Sequence, residues 1–447
     1  MKAVRVSLRA LVALLSAAVL AVSGYGWSTL QRVEQSVNTT DVLAQLNDIP
    51  NAPPVEDGAT DILLVGSDSR TDAQGRPLPD SVLRELRTEA TDTLNTDTII
   101  VLRVPKNGGR AHAVSIPRDT YVPMPDGRHD EKINSAYGVT KFYTMERLQA
   151  EGVTDLDERS QRGDQAGRRA LVQVVQDLTG VRVDHYAEVN LYGFYLLTKV
   201  IGGVEVCLKN ATYDPSSGAD FPAGVQNIAG GDALAFVRQR KNIPNGDLGR
   251  IVRQQVFMSA AMSKLMSAGT FADPTKLSGL LDAVSKSVVV DEGFDLTTLA
   301  GQAQGLAGGN VEFATIPVTA VDVVNDRGQM VVTADPAAVK AFVAQVMGDK
   351  KTTVVPTPTT TSAPVTGTAP PATTIAPPTA VPPATTGAGF AARGALDLDG
   401  VAAVPPTRPD GATSFPGEGT RGAGTAAAGQ AFAGARRVLA QGPPCVD

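Results

Sequence analysis

The sequence predicts an α/β fold, a β-sheet covered by helices on both faces. Three observations carry this reading. Short β-rich apolar runs end in glycine or turn residues. Runs with helical spacing alternate with them. Residues 57–348 of the 447-residue chain are long enough for one substantial core, and the flanking segments are not.

The elements follow in order. Residues 60–66, TDILLVG, form a short apolar run closed by glycine, a buried strand. Residues 98–104 (TIIVLRV) and 111–116 (AHAVSI) are β-rich and joined by PKNGG, which predicts a hairpin. Residues 167–178 put Leu171, Val174, Val175 and Leu178 on one helical face. Residues 187–190 are short and extended. Residues 191–201 form an apolar helix stopped by Gly202 and Gly203. VEVCL at 204–208 is a strand, a helix starts at Asp232, and a long helix covers 248–266. Residues 311–317 read as a strand. Asp335 and Pro336 supply an N-cap and a first-turn proline for a helix to Met347.

The ends of the chain differ in character. Lys2, Arg5 and Arg9 precede an uncharged run over residues 10–27. A span of ~30 Å of hydrocarbon needs about 20 helical residues, so the run just suffices as a transmembrane anchor. The preceding cations keep residues 1–9 cytoplasmic. A cleaved signal peptide is the competing reading, with Ala21-Val22-Ser23 as its cleavage site. Either reading places the rest of the chain outside the cytoplasm, with residues 28–56 as a stem. Residues 349–430 are rich in Pro, Thr, Ala and Gly and read as a disordered spacer. Residues 431–447 form a tail that carries Cys445.

Composition removes several chemistries. The chain has only three histidines and two cysteines, so a zinc site or a histidine-dependent triad has little to draw on. It is acidic, with a formal net charge of -6. Yet residues 237–255, VRQRKNIPNGDLGRIVRQQ, carry five cations against one acid, Asp247. A solvated basic helix is one explanation, and a site for a strongly anionic ligand is the other.

Three polar motifs at strand ends favour the anionic ligand. GSDSR follows the first strand, NTDT precedes the second, and PRD follows the third. Each alone also reads as a cap or a turn. Together, Asp68 and Asp97 supply two carboxylates, the usual protein contribution to a magnesium site completed by water and phosphate oxygens. Arg118, Arg238, Arg240 and Arg250 supply forked donors that grip phosphate. Two acids with several arginines describe phosphate chemistry better than acyl or glycosyl transfer.

GSDSR, NTDTIIVLRV, SIPRDTYV, KINSAYG, VNLYGFYLLTKVIGGVEVCL and ALAFVRQR…GDLGRIVRQQ resemble, in this order, the LytR-CpsA-Psr family of actinobacterial type. The resemblance covers residues 60–347. It implies a central mixed β-sheet sandwiched by helices. It implies an enzyme anchored in the cell membrane by one span, its catalytic domain extracytoplasmic. The enzyme moves a glycopolymer from a polyprenyl-pyrophosphate carrier to the muramic acid 6-hydroxyl of peptidoglycan. By motif, Asp68 and Asp97 match the acids that hold Mg2+ (or Mn2+), and Arg118 matches the catalytic arginine, with Asp97 and Lys132 beside it. Arg70, Arg118, Lys132, Arg238, Arg240, Arg250 and Gln254 match the pyrophosphate-binding set. Asp119 and Asp247 would orient nearby arginines. Asn95 stands where members often have arginine, with Arg70 or Arg103 to compensate. Arg253, off the shared face of Arg250 and Gln254, is expected at the surface. Phe194, Leu197 and Val200 are candidates to line the apolar tunnel that the family uses for the lipid.

Two rival functions share these features. A polyprenyl-pyrophosphate hydrolase would use the same site with water as acceptor. A non-catalytic wall-binding or regulatory protein would not need paired acids facing arginines. Nucleic acid is excluded as partner by the extracytoplasmic placement and the acidic balance. Abundant Ala, Gly and Val with a Pro/Thr spacer suggest a GC-rich actinobacterium, which favours arabinogalactan or another wall polysaccharide slightly over teichoic acid as cargo, its identity open. Some actinobacterial relatives resemble the chain in ending with a Pro-Cys-Val tail. A Cys207–Cys445 disulfide is therefore expected, with residues 431–439 docking as a short helix. The alternative is a buried Cys207 thiol, with Cys445 unpaired or bonded to another molecule.

Overall fold

The computed structural model describes residues 16, 38–44, 58–90, 94–107, 109–127, 129–266, 273–294, 311–348 and 445–447. All of them belong to one compact unit. The chain forms β1 (Asn38–Thr40), β2 (Ala59–Ser67), α1 (Asp80–Glu85), β3 (Thr96–Pro105) and β4 (Ala111–Ser115). The short pair β5 (Tyr121–Pro123) and β6 (Asp130–Lys132) precedes helices α2 (Ala136–Ala150) and α3 (Leu156–Thr179). Next come β7 (His185–Val189), α4 (Leu191–Val200), β8 (Val204–Leu208), β9 (Thr212–Asp214), β10 (Ala219–Phe221) and β11 (Gly224–Ile228). Helices α5 (Gly230–Arg238), α6 (Gly246–Met266) and α7 (Pro274–Ser287) lead to β12 (Val288–Asp291). The later elements are β13 (Val311–Thr315), the hairpin β14 (Ala320–Val324) and β15 (Met330–Thr333), α8 (Pro336–Met347) and β16 (Cys445–Val446).

The main sheet has seven strands in the order β1-β12-β7-β2-β3-β4-β13. β2, β3 and β4 run antiparallel in turn, whereas β7 is parallel to β2 and β13 is parallel to β4. The sheet is therefore mixed, as the family resemblance implies. Alternation along each strand splits its side chains between two faces. Leu63, Val65, Val101 and Val114 pack with Leu171, Val175, Val339 and Val343 of α3 and α8. Ile62, Ile100, Leu102 and Phe313 point the other way, toward Met258 and Met262 of α6. Helices thus cover both faces.

The expected cap at Asp335 is present, and the structure adds further helix-end signals. Asn190 caps α4 by accepting from the amide of Gly193 at 2.8 Å, and Asp335 caps α8 by accepting from Ala337 at 3.0 Å. Gly180 ends α3 in the left-handed region at φ 73°. Helix α2 has no counterpart in the sequence reading. Its Phe142 and Tyr143 are exposed while its neighbours Ala136, Tyr137 and Leu148 are buried, so its apolar residues do not mark one face.

Two flanking segments also contribute strands. Part of the expected stem joins the fold, because β1 pairs with β12 at the sheet edge and Val42 is fully buried. Part of the tail joins it as well. Cys445 and Val446 add a parallel strand to β8, giving a second sheet of order β11-β8-β16. Cys207 and Cys445 form a disulfide with their Cα atoms 4.3 Å apart. The expected span over 10–27, the spacer over 349–430 and the helix over 431–439 lie outside the described residues, Ser16 apart. Among the described residues no helix is long and apolar enough to cross a membrane.

Candidate active site

The C-terminal end of β2 and the start of β3 create the site. Their register slips between Gly66 and Ser67. Beyond the slip, Asp68 and Asn95 exchange contacts: the Asp68 amide donates to the Asn95 carbonyl at 2.9 Å, and the Asn95 amide donates to Oδ1 of Asp68 at 2.7 Å. Asp97 is the second residue of β3 rather than a residue before it. Arg118 follows β4 in a turn closed by the Thr120 amide on the Pro117 carbonyl. Arg238 is the last residue of α5, and Arg240 follows the extended Gln239. These groups line one recess of about 380 Å³, together with Arg70, Asp214, Ser216, Ser217 and Lys241.

Arg118 sits at the centre of a charge network. Its Nη1 donates to Oδ1 of Asp97 at 2.5 Å, and its Nε lies 3.5 Å from Asp119 and 3.7 Å from Asp247. Lys132 pairs with Asp119 at 3.0 Å, and Arg250 pairs with Asp247 at 2.7 Å. Arg240 stands 3.8 Å from the second oxygen of Asp97. Arg70 pairs with Asp68 at 3.1 Å and donates to its main-chain oxygen.

The charges perturb one another. Burial pushes the Asp68 carboxyl up, with the Asp97 charge adding to the rise. Burial also acts on Asp97, but the Arg118 and Arg250 guanidiniums outweigh it and hold Asp97 below the usual range. Arg118 lies above its ordinary value, since Asp97 and Asp119 outweigh its burial. Burial lowers Arg238, and repulsion from Arg70 lowers it further. Arg250, 1 % exposed, is lowered to about 10 by burial against the pull of Asp247. Five cations thus face three carboxylates along the recess of an acidic chain. Mutual repulsion among guanidiniums is what a polyanion would relieve.

The LytR_cpsA_psr family model matches residues 26–346. The chain belongs to the LytR_cpsA_psr family. It is 50% identical over 341 residues to the cell wall biosynthesis protein LcpA of Corynebacterium glutamicum, covering 76% of this chain and 65% of LcpA. It is 32% identical over 251 residues to the polyisoprenyl-teichoic acid–peptidoglycan teichoic acid transferase TagU of Oceanobacillus iheyensis, covering 55% of this chain and 64% of TagU. The chain therefore spans slightly less than two thirds of either relative. A solved LytR-Csp2A-Psr enzyme from Actinomyces oris is 17% identical, with a TM-score of 0.46 over 69% of this chain and 96% of that one.

Against this family's motifs, the fold brings Asp68, Asp97, Arg70, Arg118, Arg238 and Arg240 to the recess wall. Arg250 and Lys132 stand behind it, joined to Arg118 through Asp247 and Asp119. Gln254 is not brought to the recess: its amide donates to the Val237 carbonyl at 3.2 Å. Arg103 cannot stand in for the arginine replaced by Asn95. It pairs with Asp61 at 2.7 Å, six residues along β3 from Asp97 and thus ~20 Å away. Arg70 is the nearby cation. The surface expectation for Arg253 is overturned, because it is 1 % exposed. Counting one helical face could not show that β16 covers the other.

The sequence reading missed Asp214 and the serines after it. Asp214 accepts from the Ser216 amide at 2.9 Å and from the Arg240 and Lys241 amides at 3.4 Å, fixing the arginine segment from below. DPSS after a short strand gave only a turn signal. Of the tunnel candidates, Phe194 packs on Phe257 with ring centroids 5.2 Å apart, and Val200 lies against Gly279. Leu197 lies within α4, and its carbonyl accepts from the Ile201 amide at 3.1 Å at the helix end.

Proposed function

We propose that the chain is a phosphotransferase that moves a glycopolymer from a polyprenyl-pyrophosphate carrier to a peptidoglycan hydroxyl. The acceptor oxygen attacks the phosphorus that bears the glycopolymer. A new P–O bond forms, and the bond to the polyprenyl phosphate breaks. The carrier leaves as its monophosphate, and the acceptor proton passes to a base or to water. The observation that carries this reading is the recess, where mutually repelling guanidiniums stand among three carboxylates. The similarity to LcpA and TagU supports the same class of reaction.

The residues divide the work. Arg118 donates a planar fork to the transferring phosphoryl group, and its three carboxylate neighbours fix that fork before substrate arrives. Arg70, Arg238 and Arg240 hold the remaining phosphate oxygens. Arg250 and Lys132 keep Asp247 and Asp119 oriented.

Asp68 and Asp97 fit a hard divalent cation. Both are oxygen donors, and Oδ2 of Asp97 lies 3.8 Å from Arg240. Among the described residues no group of three or more His, Cys, Asp or Glu could hold a metal ion, so water and substrate phosphate would have to complete the shell of a cation on these two acids. Mg2+ or Mn2+ held there would neutralise charge on the pyrophosphate. The proposed setting is the outer face of the cell membrane, with residues 10–27 as a single anchor and residues 349–430 as a disordered spacer.

The test uses the full-length protein in detergent with a lipid-linked donor, with and without a muramoyl acceptor. Acceptor-dependent release of polyprenyl monophosphate is expected, lost in excess EDTA and in Asp97→Ala. Equal release without acceptor would make the protein a hydrolase. Full activity in EDTA would remove the cation. A reporter fused after residue 348 and active only in the cytoplasm would overturn the topology.

A further inference from the structure

Arg253 stands outside the recess and has no role in the chemistry above. Its Nε donates to the main-chain oxygen of Asp447 at 2.7 Å, and its Nη1 donates to Oε1 of Gln239 at 2.6 Å. Its guanidinium lies over the Phe236 ring, 5.1 Å from the centroid. Burial lowers its pKa to about 10, opposed by Asp447. A buried guanidinium is costly unless its donors are matched. Here the two acceptors come from distant parts of the chain.

One acceptor is the middle of the arginine segment. Gln239 is fully buried between Arg238 and Arg240, which both line the recess. Its backbone is extended, with φ -59° and ψ 134°. Successive side chains in extended backbone point to opposite sides. Gln239 therefore points inward as its neighbours point to the recess. Its Nε2 donates to Oγ1 of Thr212 at 2.5 Å and to the Lys241 carbonyl at 2.9 Å, which leaves Oε1 to Arg253.

The other acceptor is the tail. Cys445 is bonded to Cys207, and Val446 is buried with Val206, Leu208 and Phe257. The Lys209 amide donates to the Val446 carbonyl at 2.8 Å. Lys209 and Asn210 hold the Asp447 carboxylate at 2.9 and 3.3 Å. The position of the Asp447 main-chain oxygen is thus fixed from β8.

We infer that Arg253 is a positioning residue for the arginine segment 238–241, and that the stapled tail residues Cys445–Val446 and Asp447 set Arg253 in place. The inference rests on the pyrophosphate reading of the recess and adds a dependence of that site on the tail. The contacts run in one line, from the disulfide through Asp447 and Arg253 to Gln239 and its two arginine neighbours.

Full-length protein in detergent tests this with Arg253→Lys, Cys445→Ser and the double variant. Lysine keeps the charge but cannot reach both acceptors with a fork. Hydrogen exchange of residues 238–241 reports the segment, and calorimetric titration with inorganic pyrophosphate and Mg2+ reports the site. Arg253→Lys is expected to speed exchange and weaken pyrophosphate about tenfold, Cys445→Ser to act in the same direction, and the double variant to be no worse than Arg253→Lys. Unchanged exchange in Arg253→Lys overturns the inference, as does faster exchange with unchanged affinity. If Arg253→Lys fails to fold, Cys445→Ser decides alone by the same two readouts. If the wild type does not bind pyrophosphate, or Arg240→Ala binds it equally well, the phosphate reading falls. Exchange then still decides whether Arg253 positions the segment.

Discussion

Arg118 touches or approaches three carboxylates, and that geometry is what makes it more than a charge. Lysine at the position would keep the cation and lose the planar fork that addresses Asp97 and a phosphoryl oxygen together. Arg118→Lys is therefore expected to be nearly as damaging as Arg118→Ala. Each should cost about 3 kcal/mol of transition-state stabilisation, a factor of order 10² in kcat. Steady-state kinetics of the two variants check this, and a lysine variant with most of the wild-type kcat would refute it. Asp214 makes a different kind of residue-scale prediction. Burial pushes its carboxyl up, but the amides of Ser216, Lys241 and Arg240 outweigh burial and hold it below its ordinary value of 3.8. A depressed carboxyl contributes stability that is present above the unfolded value and lost as pH falls through the folded one. Asp214→Asn should thus destabilise by on the order of 1 kcal/mol near neutral pH. The gap between the urea midpoints of wild type and variant should narrow from neutral pH to a pH below 3.8, as the carboxylate is protonated. A gap that is the same at both pH values would show that the carboxylate charge is not what counts.

The element that decides the site is the start of α6. Asn242 and Asn245 adopt left-handed backbone at φ 60° and 61°, a region asparagine tolerates, and the chain reverses there between the two arginine groups. Gly249 lets the first turn close: a Cβ there would stand 2.1 Å from the Pro244 carbonyl oxygen. Alanine is ordinarily the better helix former by about 1 kcal/mol, but a clash with backbone cannot be relieved by a side-chain rotation. Gly249→Ala is expected to cost about 1–3 kcal/mol by overpacking and to lower kcat, since Asp247 and Arg250 flank it. Thermal melts and kinetics test it together; a variant more stable than wild type would show that the turn gives way freely. The sequence announced α6 through its length and β2 through its apolar run. It did not announce α2, whose exposed Phe142 and Tyr143 blur the amphipathic pattern.

At the scale of the molecule, the tail closes on the domain across 238 residues of sequence. Non-reducing peptide mapping of the full-length protein should return a Cys207–Cys445 peptide. Two free thiols, or only intermolecular adducts of Cys445, would refute the pairing. The same closure explains why Arg253 could be misplaced from sequence. Its helical neighbours give it a face, but the face is covered by β16, and nothing in residues 248–266 encodes a strand that arrives from residue 445.

Sequence by itself determined the α/β class, the hairpin of β3 and β4, the cap at Asp335, and the set of acids and arginines that chemistry would need. These are local properties: periodicity, capping and residue type act over a few positions. Tertiary structure decided which of those residues share a recess. Asp68, Asp97, Arg118, Arg238 and Arg240 meet there because strand register and helix ends place them so. Arg103, Gln254 and Arg253 are arginines or amides of the same type, sent elsewhere by Asp61, by the Val237 carbonyl and by the tail. Which cation faces substrate and which is buried as a prop depends on contacts between distant segments, and those arise only when the chain has folded.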